Sequence, residues 1–192
     1  MIIYTTKETR ERLKLKMPNE LNPPLSEFVK EVINKESGNP MLEWGAKLFY
    51  FDRRKCLQVV HFASKLTLFL IDIKVKDIEK IGDMIAFYLF ELYKDKPNVI
   101  KKLEKFIASS PFICFDKITN KSIISTLNHT ESNFAFYGNR FYQYIKNNIL
   151  HSKQINYDVN FDFIFSSSLD KSDMYFHSGE RFEKLLLEYI AD

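Results

Sequence analysis

The sequence predicts an α+β fold in which helices pack on one mostly antiparallel sheet of five to six strands. Residues 44–73 carry the prediction of the sheet, because three β-rich runs are separated there by the short polar turns of an antiparallel meander. Elsewhere in the chain, apolar residues recur at helical spacing, which predicts the helices.

We interpret residues 1–192 as one domain, because this length and a hydrophobic content of 45% suit a single core. The part at about 21–39 is interpreted as a helical insertion between the first strand–helix unit and the meander. Pro18 precedes this part, the Pro23-Pro24 pair lies near its start, and a Ser-Gly-Asn-Pro stretch ends it.

Caps, breakers and spacing predict the order of the elements along the chain. Thr5 and Glu8 form a capping box, Ser26 and Ser122 are expected N-caps, and Pro97 suits a first helical turn. Strict alternation of apolar and polar residues predicts the late strand. The predicted elements are a strand over 1–4, helices over 5–15 and 26–36, the meander, helices over 76–94 and 97–107, a strand over 112–115, helices over 122–134 and 141–149, a strand over 155–165, a mobile polar loop over 166–173 and a closing helix over 182–190.

The charge is distributed unevenly along the chain. The net charge is +3, but residues 1–153 carry +8 and residues 154–192 carry −5. A basic body with an acidic end either binds a polyanion or pairs its own two regions, and composition leaves both readings open.

The sequence predicts a cytoplasmic protein without a membrane partner. Its first residues lack the apolar region of an export signal, and no run approaches the roughly 20 apolar residues of a membrane span. Cys56 and Cys114 lie in predicted strands, and we expect both to be buried thiols.

Several short motifs carry a family resemblance. They are Ile-x-x-Thr-x-Lys at residues 2–7, the strand containing Trp44, the turn from Asp52 to Lys55, and the apolar pattern at about 127–136. Together they resemble an uncharacterised prokaryotic family of domains of unknown function, which has an N-terminal strand and helix and an Asn-Arg-Arg-Lys turn. Asp52 replaces the Asn here. The resemblance spans most of the chain and implies a fold without implying an activity.

We expect neither a metal nor a cofactor. The four histidines (His61, His129, His151 and His177) and the two cysteines lack the spacing of zinc ligands. With five glycines in the chain, no glycine-rich phosphate loop is present.

The most enzyme-like segment surrounds His129. A histidine near an arginine such as Arg140 is the minimum for metal-independent RNA cleavage by acid–base catalysis, so a ribonuclease-like toxin is the alternative function. The competing interpretation is a partly exposed histidine on a helix.

The turn containing Arg53, Arg54 and Lys55 is the strongest candidate binding site. A hairpin turn needs no cations for its geometry, and adjacent arginines suit phosphate or a partner's carboxylates. The other interpretation is an internal clamp, with Arg53 or Arg54 bonded to Asp158, to Asp162 or to the carbonyl end of a helix. The aromatic residues Phe136, Tyr137, Phe141 and Tyr142 either stack on bases or belong to the core.

These observations favour a non-catalytic cytosolic protein that binds nucleic acid or an acidic protein through a basic surface including Arg53 and Arg54. Phage defence or counter-defence is the hypothesis for its biological setting. A module for protein–protein interaction is a further alternative.

Overall fold

Five strands form the central sheet of a computed structural model that describes residues 1–136, 140–166 and 174–190. They are β1 Ile2–Thr5, β2 Glu43–Phe51, β3 Arg54–His61, β4 Thr67–Leu70 and β5 Cys114–Lys117. The spatial order is β4-β3-β2-β1-β5, with an antiparallel β2-β3-β4 meander and with β1 parallel to both of its neighbours. Two small antiparallel hairpins are β6 Ile145–Lys146 with β7 Ile149–Leu150, and β8 Ile164–Ser166 with β9 Tyr175–His177. The predicted α+β class with mostly antiparallel pairing is therefore confirmed.

Helices cover the sheet. The α-helices are α1 Lys7–Leu13, α2 Pro23–Glu36, α3 Ile81–Leu92, α4 Pro97–Ser109, α5 Lys121–Glu131, α6 Arg140–Gln143, α7 Ser152–Phe161 and α8 Ser178–Tyr189. Short 3-10 helices span Pro18–Glu20 and Val75–Lys80, and a π-helix spans Ser132–Phe136. Within the described part of the chain, no helix has both the length and the apolarity to cross a membrane.

The sheet separates two hydrophobic layers, because successive residues of a strand point to opposite faces. Trp44, Ala46 and Leu48 of β2 pack with α1, α3, α4 and α8 on one face. Phe49 and Phe51 of the same strand pack with α6 and α7 on the other face. The meander thus lies at the centre of the molecule, with helices on both faces.

Helix α7 replaces the strand that the alternating pattern predicts over 155–165, so that prediction is wrong. Ile155 and Val159 are four residues apart and fully buried, and so are Asn156 and Asn160. Residues spaced by four lie on the same side of a helix. The segment therefore carries an apolar stripe and an amide stripe, and a helix can present both to the edge of the sheet.

Asn156 and Asn160 form what we call the asparagine clamp, which binds the backbone of the edge strand β4. Asn160 Oδ1 accepts a hydrogen bond from Thr67 N (2.8 Å), and Asn160 Nδ2 donates to Thr67 O (2.7 Å). Asn156 repeats the arrangement two residues along, with bonds of 2.7 Å from Phe69 N and 3.2 Å to Phe69 O. Ser178 Oγ donates to Asn160 Oδ1 (2.8 Å). The side-chain amides thus replace a neighbouring strand.

The predicted helix over 141–149 is also wrong beyond its first turn. Helix α6 ends at Gln143, and the β6-β7 hairpin follows it. Asn147 and Asn148 connect the two strands with φ of 51° and 61°, which is the backbone conformation that a two-residue type I′ turn requires. Asparagine tolerates this left-handed region better than other residues with a side chain.

Three predicted N-caps are displaced along the chain. Thr6, rather than Thr5, caps α1 by accepting from Thr9 N (3.3 Å). Asn22 caps α2 instead of Ser26, which is buried within that helix, and Asn120 caps α5 instead of Ser122. The two asparagine caps lie upstream of the predicted serines, so α2 and α5 begin earlier than predicted, whereas α1 begins one residue later.

Both cysteines are buried thiols, as predicted. Burial raises the pKa of Cys56 to about 12, and it also raises the pKa of Cys114. Of the predicted mobile loop over 166–173, residues 167–173 lie outside the described residues.

Candidate binding surface at the tip of the central hairpin

The β2-β3 hairpin closes through a two-residue turn at Asp52 and Arg53. Phe51 pairs with Arg54 as the last register pair, and the two turn residues have φ of 47° and 63°. A type I′ turn requires positive φ at both positions, which is why Asn-Gly is its preferred sequence. A residue with a larger side chain is disfavoured there by roughly 1–2 kcal/mol. The backbone therefore gives no reason for an arginine at position 53.

Arg54 lies on the Phe51 side of the sheet and is only partly exposed. Its guanidinium donates from Nη1 to Asp72 Oδ2 at 2.7 Å, and from Nη2 to the carbonyl oxygen of Asn148 at 3.4 Å. Arg54 thus links the central hairpin to the residues after β4 and to the β6-β7 turn. Its partners differ from the Asp158, Asp162 and helix carbonyls considered in the clamp interpretation.

Arg53 and Lys55 have different surroundings from Arg54. Arg53 is exposed at the tip, and its side chain has no hydrogen bond or ion pair within the described ranges. Lys55 is half-exposed, and its carbonyl oxygen accepts a hydrogen bond from Ile73 N (2.9 Å). The three cations of the turn therefore divide into one internal link and two side chains that remain available to a ligand.

Helix α1 carries further cations toward this tip. Thr6 N donates to Ala46 O (3.4 Å) and Leu48 N donates to Thr9 Oγ1 (2.8 Å), so α1 runs beside β2 in the direction of the turn. The 3-10 helix Val75–Lys80 also contacts α1. We call the resulting group of cations the tip surface: Arg12, Lys14, Lys16, Arg53, Lys55, Lys74 and Lys76.

The tip surface carries seven cations, and several of the carboxylates near it are engaged, whereas Asp52 in the turn itself is exposed. Asp72 pairs with Arg54, Asp77 Oδ2 accepts from Lys74 N (2.9 Å), and Glu11 lies 3.8 Å from Lys7 Nζ. No cation of the tip surface is in an ion pair with a described residue. Sequence reasoning missed the lysines at 14, 16, 74 and 76, although Lys-x-Lys spacing next to predicted turns was a visible signal.

Arg53 and Arg54 are expected to respond differently to substitution. Arg53→Ala should leave the free energy of unfolding within about 0.5 kcal/mol of the wild type, because the side chain is exposed. Arg54→Ala should lower it by about 1 kcal/mol, since it removes a partly exposed ion pair and a second hydrogen bond. Thermal melts of both variants, with Asp72→Ala and the double variant, measure the coupling. An equal loss from both arginines would contradict this division.

The structure places His129 and Arg140 beside one aromatic ring, that of Phe163. The ring centroids of His129 and Phe163 are 6.1 Å apart, and the Arg140 guanidinium lies 5.9 Å from the Phe163 centroid and 5.1 Å from that of Phe134. His129 is exposed, and its Nε2 lies 3.3 Å from Asn133 Nδ2. The two residues are therefore neighbours of one ring, and this geometry gives Arg140 a stacking role.

The rest of the enzyme-like segment has another role. Glu131 forms an ion pair with Lys47 of β2, and Asn128 Oδ1 accepts from the same Nζ at 2.8 Å. Thr130 Oγ1 donates to Thr126 O (2.7 Å) within α5. The contacts of Lys47 hold α5 against the sheet, and His129 is exposed without taking part in them.

Of the aromatic residues considered for stacking on bases, one is buried in the core and another is exposed. Phe141 is fully buried against Phe49, Phe51 and Phe69, whereas 51% of Tyr142 is exposed. The side chains of residues 136 and 137 lie outside the described part. Sequence reasoning also missed Tyr50, which is 44% exposed beside the tip surface.

A cleft of about 380 Å³ lies between α3 and α7, away from the tip. Its polar groups are largely satisfied by one another. Lys153 pairs with Glu91 at 2.9 Å, and Tyr88 Oη donates to Ser152 Oγ at 2.8 Å. The lining amide of Asn156 is part of the asparagine clamp. The cleft therefore offers a ligand fewer unpaired groups than the tip surface does.

A known family matches most of the chain. Residues 2–180 match the family described as a domain of unknown function, DUF6933. The chain belongs to this family. The match covers the whole sheet of the DUF6933 protein and most of its helices. Every cation of the tip surface also lies within the matched residues. No curated protein matches the chain.

Proposed function

We propose that this DUF6933 protein is a non-catalytic cytosolic binding protein, and that the tip surface holds the phosphate backbone of a nucleic acid. The observation that carries the proposal is Arg53. Its side chain is exposed and unpaired among the described residues, and it occupies a turn position with φ of 63°. Unfavourable backbone conformations that persist in a fold are common at functional sites.

The neighbouring cations extend this argument from one residue to a surface. Lysines at the end of α1, in β3 and in the 3-10 segment belong to the same tip surface as Arg53, and they carry no ion pair in the part of the chain that the structure describes. Phosphate groups neutralise such cations and release bound counterions, which makes the binding strongly dependent on salt. An acidic protein would meet the same cations, and it is the alternative partner.

Arg53→Gly is expected to separate stability from binding. Glycine relieves the left-handed strain, so the free energy of unfolding should stay equal or rise by up to about 1 kcal/mol. Binding to labelled RNA and DNA should weaken, and the slope of log K against log salt should flatten by about one unit. Fluorescence anisotropy across a salt series from about 50 mM measures the binding. The exposed Lys105 of α4, changed to Gln, is the matched control for loss of a cation elsewhere.

The same reactions test the alternatives. Absence of binding to RNA, DNA and heparin at about 50 mM salt would overturn the nucleic-acid proposal, because phosphate contacts are strongest at low salt. Binding to an acidic polypeptide alone would support the protein partner. RNA that is cleaved in EDTA by the wild type and remains intact with His129→Ala would support the ribonuclease-like alternative instead.

A further inference from the structure

Two adjacent aromatic residues at the end of β2 have opposite environments. Phe51 is buried, with its ring centroid 5.1 Å from that of Phe141 and 4.7 Å from that of Tyr142. Tyr50 points to the other face of the sheet and is 44% exposed. Within the described ranges, its ring has no aromatic partner and its hydroxyl has no hydrogen bond. The fold therefore makes little use of the Tyr50 side chain.

Tyr50 has a cation as its cross-strand neighbour, and others follow nearby along the chain and on α1. Lys55 is its cross-strand partner in the β2-β3 register, so both side chains lie on the same face of the hairpin. Arg53 follows at the turn. Helix α1 runs beside the same strand and ends at Lys14, which has the left-handed φ of 55° that turns the chain away. An exposed aromatic ring thus lies inside the positively charged tip surface.

We infer that the tip surface prefers single-stranded nucleic acid, with the Tyr50 ring stacked on a base while the surrounding cations contact phosphates. This inference rests on the proposed function. Bases of a single strand expose their faces, and an aromatic side chain beside a basic groove is the usual means of binding them. In a duplex the base faces are covered by their neighbours, so a duplex meets the cations and gains nothing from Tyr50. An acidic peptide has no bases, so it too would contact the cations without stacking on Tyr50.

The experiment compares a single-stranded 12-nucleotide poly-U or poly-dT with a duplex of equal length, by anisotropy at one low salt concentration. The wild type should bind the single strand about 10-fold or more tightly than the duplex. Tyr50→Leu should weaken single-strand binding by about 10- to 100-fold, leave duplex binding unchanged and preserve the salt slope. Tyr50→Phe should bind as the wild type does, because it keeps the ring.

Tyr142→Leu is the matched control, since Tyr142 is similarly exposed but lies on the opposite face of the sheet, against Phe51. It should leave the affinity for the single strand unchanged. Equal affinity for single strand and duplex, with no effect of Tyr50→Leu but a loss with Arg53→Gly, would overturn the stacking inference and keep the proposed function. Absence of binding to both would overturn the two together. Melting curves of all variants show whether each one is folded.

Discussion

Replacing Asn160 by alanine should lower the free energy of unfolding by about 3 to 5 kcal/mol. The amide is fully buried, and it binds both backbone groups of Thr67, the carbonyl oxygen of Asn156 and the hydroxyl of Ser178. Alanine leaves the two backbone groups of Thr67 and the Ser178 hydroxyl without this partner, and each unsatisfied buried group costs about 1–3 kcal/mol. Partial relaxation of α7 reduces the sum. Chemical denaturation with urea measures the loss.

Asn156→Ala should cost less than Asn160→Ala, because the Asn156 side chain makes two hydrogen bonds with described residues, both to Phe69. The double variant should be too unstable to fold at room temperature or close to that limit. Asn34→Ala, an exposed position in the last turn of α2, is the matched control and should be neutral or slightly stabilising. A loss below about 1 kcal/mol for Asn160→Ala would show that water replaces the amide and that the clamp contributes little.

Acid should destabilise the protein mainly through His61. This side chain is fully buried, with its ring centroid 4.8 Å from that of Trp44 and 5.0 Å from that of Phe182, and with Nδ1 2.8 Å from Ser64 Oγ. Burial lowers the pKa of His61 to about 3, although the carbonyls of Met41 and Pro40 partly oppose the effect. The folded protein therefore keeps this imidazole neutral well below the pH at which an exposed histidine is charged.

The sign of the pH dependence follows from proton binding. In the unfolded chain His61 has an ordinary pKa near 6.5, so between that pH and about 3 the unfolded state takes up a proton that the folded state refuses. The contribution of the neutral His61 to the free energy of unfolding is fully present above about pH 6.5. The free energy of unfolding should fall by about 3 kcal/mol by about pH 4.5. Urea unfolding at both pH values measures this. His61→Gln should remove most of the loss, and the exposed His129→Gln should keep it; the same loss in His61→Gln as in the wild type would contradict the assignment.

The sequence predicts those elements whose signals are local. Three strands of the meander and the helix beginning at Pro97 have continuous runs or clear breakers within a few residues. The segment of α7 predicts a strand because its apolar residues, from Ile155 to Phe161, also alternate with polar ones. What decides for the helix is the pairing of its asparagines with Thr67 and Phe69, at sequence separations of 93 and 87 residues. A pattern within one segment does not contain such information.

For the candidate site, the sequence likewise predicts the local turn but not the contacts with residues distant in the chain. The sequence indicates that Arg53 and Arg54 stand at a hairpin tip, and the β2-β3 turn places them there. The sequence does not show which of the two arginines is paired, because the partners of Arg54 are distant in the chain. They are the carboxylate of Asp72 and the carbonyl oxygen of Asn148. The sequence also does not show that Tyr50 is exposed and Phe51 buried. An alternating strand would reveal such a difference, but both faces of β2 are covered for most of its length, so its sequence is nearly continuous in apolar residues.

The asparagine clamp also bears on how this protein behaves when it is concentrated. Strand β4 belongs to an uninterrupted stretch of Leu, Thr, Phe and Ile residues at the edge of a sheet, which is the kind of segment that templates intermolecular β-structure. Edge strands are usually protected by charge, proline or a bulge, and this one has none of them between Thr67 and Leu70. Asn156 and Asn160 occupy its outward-facing backbone groups, so a second molecule finds no free ladder to extend. Helix α7 therefore protects the chain from aggregation for as long as it stays docked.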